Sequence, residues 1–125
     1  LAPAAKIYGC EVATSIPLSS AFAAGKPVVV ERTPSFVDGI GGRGVLPEMW
    51  PLVSAVLDGA VIAELDDVRR AVRLLVERAR VVAEGAGAVP VAAALAERAG
   101  RGKIVCVVSG GNIDTRTLIE LLTDA

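Results

Sequence analysis

The chain has no histidine among its 125 residues. That absence removes the side chain whose ordinary titration lies nearest neutrality. It also rules out every Ser-His-Asp or Cys-His nucleophilic site and every zinc site built on imidazole. Aromatic residues make up only 3% of the chain, so the core must be layered from Val, Ala and Leu. The two cysteines, Cys10 and Cys106, stand far apart in apolar runs with no C-x-x-C spacing, which reads as reduced thiols inside a core and suits a cytoplasmic protein. No uncharged apolar run reaches the roughly 18 residues that cross a bilayer, and no basic leader precedes an apolar core, so no membrane partner is expected. Neither sign of charge dominates: 13 Lys and Arg face 14 Asp and Glu, for a net charge of −1. A basic surface for a phosphate backbone is therefore missing, and nucleic acid is not an expected partner.

What the chain has in quantity is short aliphatic residues, 53% hydrophobic in all, enough for one domain and not for two. Lys6 to Glu11, Ala60 to Ala63 and Lys103 to Ser109 are short apolar runs of the kind found in strands covered on both faces. Between them, helical patterns are predicted over Pro17 to Ala24, Pro47 to Leu57, Asp66 to Val82, Pro90 to Arg98 and Thr115 to Leu122. The clearest is Asp66 to Val82, where Val68, Ala71, Val72, Leu75, Ala79 and Val82 recur at helical spacing opposite a face rich in arginine. Alternating strands and helices give an α/β layered fold with a largely parallel sheet flanked by helices, one piece over residues 1–125. The long irregular stretch from Glu31 to Val45 carries four glycines, and such loops tend to be functional.

Several segments have the makings of a site. Ser109-Gly110-Gly111-Asn112 follows an expected strand and precedes a helix. In a parallel sheet, ligands bind at the carboxyl ends of strands, where glycines let backbone N–H groups come close; an ordinary strand-to-helix turn is the alternative. Glu84 is a lone carboxylate between an apolar helix end and the small residues Gly85 to Ala88, a setting typical of site residues. The same run also reads as a helix-to-helix break that brings two backbones together. Gly85-x-Gly87 is not a dinucleotide fingerprint, because a helix precedes it and Pro90 stands at the third glycine. Asp38-Gly39 and Glu11 are uninformative singly, since an acidic residue at a strand end is usually solvated.

In order, Ile7-Tyr8-Gly9-Cys10-Glu11, Val37-Asp38-Gly39, Met49-Trp50-Pro51, Val82 to Ala88 and Val107 to Asp114 resemble the C-terminal part of the threonine dehydratase and serine racemase branch of the fold-type II pyridoxal-phosphate enzymes. The resemblance covers nearly the whole chain. It implies the cofactor pyridoxal 5'-phosphate, with Ser109 hydrogen-bonding the pyridine nitrogen, Gly110 and Gly111 forming pocket wall, Gly39 passing close to the ring and Glu84 lying beside it. A hydroxyl at Ser109, unlike an Asp, does not stabilise a protonated ring, which favours loss of a β-hydroxyl over a long-lived carbanion. The implied reaction is threonine or serine dehydration to a 2-oxo acid and ammonia. Some relatives also bind a divalent cation through residues matching Glu11 and the carbonyl of Ser15, with an Asp where this chain has Pro17.

The resemblance also implies what lies elsewhere. The family's Schiff-base lysine, substrate-carboxylate segments and tetra-glycine phosphate loop precede the matched part, and Lys6, Lys26 and Lys103 do not stand in the lysine's sequence context. No catalytic residue is therefore expected in these 125 residues, which taken alone should be inactive. They are expected to work with the missing N-terminal part or a second chain, in an enzyme that is a homo-oligomer when complete. Alternatives are a serine racemase portion, a non-catalytic module binding a small anion, and a structural subunit.

Overall fold

A computed structural model describes residues 4–123; the outer residues of the single piece expected over 1–125 lie outside the described residues. Strand β1 (Tyr8–Val12) is followed by helix α1 (Pro17–Ala24), a long irregular segment, helix α2 (Trp50–Val56) and strand β2 (Gly59–Ala63). Helices α3 (Leu65–Leu74), α4 (Gly85–Leu95) and α5 (Thr115–Thr123) complete the order. The two strands pair in parallel, Tyr8 opposite Gly59 and Val12 opposite Ala63. This is an α/β fold with a small parallel sheet and five helices among the described residues.

The period of two along β1 sorts its side chains to the two faces of the sheet. Gly9 and Glu11 turn toward α1: a Cβ on Gly9 would meet the Leu18 side chain, and the Glu11 carboxylate bonds the start of that helix. Cys10 and Val12 turn the other way, into a core built with Val61, Ala63, Val68, Val72, Val89 and Ala92. α3 and α4 close that side. Val68, Ala71, Val72 and Leu75 are all buried, as their spacing predicts, and Asp66 and Asp67 occupy the first turn of α3, where the helix dipole favours negative charge.

Three expectations are corrected. The pattern Asp66 to Val82 does not form one helix: after Leu74 the chain makes a π-helical turn, Leu75–Ala79, and stops at Arg80 with φ 58°. The wider turn breaks the 3.6 period, so Ala79 and Val82 are exposed and do not extend the core stripe. The next helix begins at Gly85 rather than Pro90, so the Gly-Ala-Gly run is the first turn of α4 and Pro90 lies inside it. Lys103 to Ser109 does not form a strand, because no neighbour among the described residues pairs with it. Val105 is 90% exposed and Val107 69%, and a cavity of about 410 Å³, lined by Tyr8 and Cys10 on one side and Ile104 to Cys106 on the other, separates this segment from β1. No helix among the described residues is long and apolar enough to cross a membrane.

Candidate functional site

The π turn ends α3 early at the left-handed Arg80, and the link that follows delivers Glu84 to the N-cap position of α4. From there the Glu84 backbone N–H donates to the Gly110 carbonyl at 3.0 Å. This bond ties the start of α4 to the turn that follows the extended segment ending at Ser109. The two backbones are nearly in contact. A Cβ on Gly87 would stand 2.7 Å from the Gly110 oxygen and 3.1 Å from its nitrogen, and a Cβ on Gly110 would collide with Glu84 Oε1. These two glycines are set by close approach, not by an unusual backbone angle.

The long loop reaches the same point from the other side. Phe36 and Val37 pack on Gly85, and a Cβ on Gly39 would lie 3.0 Å from the Ala86 Cβ and 3.3 Å from Glu84 Oε1. Thus Gly39, Glu84 and Gly110, chosen from distant parts of the chain, meet around one carboxylate. Ser109 adjoins Gly110 and is exposed. Beyond the turn, Asp114 caps α5, accepting from the Thr117 N–H at 2.9 Å and from its hydroxyl at 2.6 Å. Those bonds hold the Asp114 carboxyl below its ordinary value of 3.8.

Glu11 and Ser15 stand apart from this cluster, at the start of α1. Glu11 is 6% exposed, so the solvated strand-end carboxylate expected from sequence is instead buried. Cys10 and Cys106 are free thiols that line one cavity, and burial pushes both of their pKa values up. The close backbone approach is among the readings of the Gly85 to Ala88 run, but its partner, Gly110, and the docking of Phe36 on Gly85 are not. The signal for both lay in the run of small residues after Glu84, which has no use in an isolated helix.

The arrangement brings a half-buried carboxylate, an exposed hydroxyl and glycine backbone together at one turn, with the glycines packed closely against Glu84 and the start of α4. The profile of the family described as pyridoxal-phosphate dependent enzyme matches residues 1–110. The chain belongs to that family. Over 118 residues it is 37% identical to an L-threonine ammonia-lyase of Geobacter sulfurreducens, covering 93% of this chain and 29% of the relative. The solved threonine deaminase of T.th. superposes with a TM-score of 0.84 at 28% identity, over 91% of this chain and 39% of that one. Maize serine racemase gives 0.81 at 27%, over 94% and 39%. The chain therefore spans well under half the length of the relatives it matches. At this point Gly39 and Gly110 let the Glu84 side chain and the start of α4 pack directly against their backbones, where any Cβ would clash.

Proposed function

We propose that this chain is the portion of a pyridoxal-phosphate-dependent threonine or serine dehydratase that holds the ring-nitrogen side of the cofactor. The observation that carries the reading is the convergence of Gly39, Glu84 and Gly110 beside the exposed Ser109. The similarity to threonine ammonia-lyase and threonine deaminase supports it. Ser109 would hold the pyridine nitrogen through its hydroxyl, Gly110 would form pocket wall, Gly39 would pass close to the ring, and Glu84 would lie beside it. When bound, pyridoxal phosphate supplies an electron-withdrawing ring that labilises the substrate α-hydrogen and lets a β-hydroxyl depart. A neutral hydroxyl at Ser109 leaves the ring nitrogen unprotonated, so it moderates that withdrawal and biases the outcome toward prompt elimination to a 2-oxo acid and ammonia.

The remainder of the enzyme would contribute the lysine, the phosphate loop and the substrate-carboxylate contacts. The share of relatives covered, 29% to 39%, and the unpaired segment beside the cavity support this division. We place the complete enzyme in the cytoplasm as a homo-oligomer, in keeping with its free thiols. A serine racemase is the second reading, favoured by the fit to the maize enzyme. It would use the same ring-nitrogen side and differ in the proton donor on the opposite face.

The test is Ser109→Ala in the full-length enzyme loaded with cofactor. The expected result is a changed cofactor absorbance and turnover lowered at least tenfold, with 2-oxo acid and ammonia as the wild-type products. An unchanged spectrum and rate would remove Ser109 from the pocket. D-serine as the main product from L-serine would select the racemase reading.

A further inference from the structure

The resemblance implies a divalent-cation site at Glu11 and Ser15, and these residues do not fit one. We propose instead that Glu11 is a strand-borne cap that fixes the start of α1, and that the enzyme needs no divalent cation there. The sequence creates the need for a cap. Pro17 occupies the first helical position and Ile16, at the N-cap, has no side-chain oxygen, so the free N–H groups of Leu18 and Ser19 require an acceptor from elsewhere. Glu11 supplies it from the facing strand. One carboxylate oxygen accepts from the Leu18 N–H at 2.5 Å, and the other accepts from the Ser19 N–H at 2.8 Å and the Ser19 hydroxyl at 2.7 Å.

A carboxylate offers about four acceptor positions, and three are spent on this helix. Glu11 is only 6% exposed, so little water reaches it, whereas a magnesium ion keeps several waters and calcium takes six or more oxygens. The local field also opposes a cation, because converging N–H groups and the positive end of the α1 dipole face the same carboxylate. Ser15, whose carbonyl would be the second ligand, is only 3% exposed, and its hydroxyl bond to the Gly42 carbonyl at 3.0 Å anchors it in a buried turn with little access to water. Pro17 offers no side-chain oxygen, and no group of three or more His, Cys, Asp or Glu able to hold a metal ion occurs among the described residues. Helix donors thus offset the charge of the Glu11 carboxylate and tie β1 to α1.

The inference goes beyond the lyase reading and does not rest on it, because melting is measured without turnover. The full-length holoenzyme, treated with chelator, is melted alone and with millimolar magnesium, calcium or manganese, beside Glu11→Gln and Ser19→Ala. The expected result is no cation-dependent shift larger than about 1 °C in the wild type. Glu11→Gln should lower the melting temperature by about 2–5 °C, and Ser19→Ala should lower it less. A saturable rise of several degrees with one cation, abolished in Glu11→Gln, would overturn the proposal, as would a Glu11→Gln protein that melts with the wild type. Should Glu11→Gln fail to fold, the wild-type titration alone decides whether a cation binds.

Discussion

Replacing Gly87 by alanine in the full-length enzyme tests the site at its tightest point. The added Cβ would stand 2.7 Å from the Gly110 oxygen and 3.1 Å from the Gly110 nitrogen. Both are backbone atoms, so no rotamer change can move them away. Carbon atoms rest near 3.5 Å from their neighbours, so the α4 start and the Gly110 turn must separate by roughly half an ångström or more. Two effects compete. Glycine to alanine in a helix gains about 0.5–1 kcal/mol, whereas overpacking a well-fitted contact costs about 1–3 kcal/mol. The steric cost is larger, for a net loss of about 1–2 kcal/mol. The displacement also strains the 3.0 Å bond from the Glu84 N–H to the Gly110 carbonyl and shifts Ser109 with it. On the proposed role of Ser109, losing one good hydrogen bond to the cofactor, worth about 1 kcal/mol, would weaken cofactor binding roughly five- to tenfold. The assays are a thermal melt and a cofactor titration followed by absorbance. Gly42→Ala is the control, since the nearest atom to its added Cβ is 3.8 Å away. A Gly87→Ala enzyme that melts at or above the wild-type temperature and binds cofactor equally well would refute the close approach.

Further outcomes are expected elsewhere. Val72 is fully buried between the sheet and the helices, so Val72→Ala should cost about 2 kcal/mol, read from denaturant unfolding at an unchanged m-value. The Asp114 carboxyl is held below 3.8 by its bonds to Thr117. Its cap therefore contributes in full above that value and is lost as pH falls through the lower folded value. Acid titration should fray α5 first, and Asp114→Ala should fray it at every pH, both read by exchange of the Thr117 and Leu118 amides. In the complete enzyme the amides of Ile104 to Val108 should exchange as slowly as those of β1, and fast exchange there would mean that no strand fills the gap beside them.

The parts of the fold legible in the sequence were those decided by local pattern. The burial of Val68, Ala71, Val72 and Leu75 and the placing of Asp66 and Asp67 follow from a 3.6 period and the helix dipole. The pattern failed where tertiary contact overrides propensity. Glycines at 85 and 87 argue against a helix by intrinsic preference, yet α4 begins there because only a helix start without side chains can meet the Gly110 backbone. Residues 103–109 have the composition of a buried strand but no partner to pair with among the described residues, since pairing belongs to two segments and one sequence window cannot supply the second. Spacing alone said nothing of Gly39, Glu84 and Gly110 meeting. Their grouping came from the family resemblance, and the geometry gives its physical content.

Ser109 illustrates how the site depends on the whole layer. The segment leading to it has no ladder of its own, and the ties that position it run to α4: the Cys106 thiol to the Pro90 carbonyl at 3.4 Å, the Glu84 N–H to the Gly110 carbonyl, and the meeting of Gly87 with Gly110. On its other side lies the cavity that separates it from β1. An extended segment held along one face keeps freedom to tilt about that face, and a tilt at Val105 is carried to the Ser109 hydroxyl. A catalytic hydrogen bond needs placement within about half an ångström, so the α4 contacts fix where the turn lies while a strand seated in the gap would fix its angle. The open edge and the hydroxyl proposed to hold the cofactor are therefore one structural problem, and filling the first would complete the second.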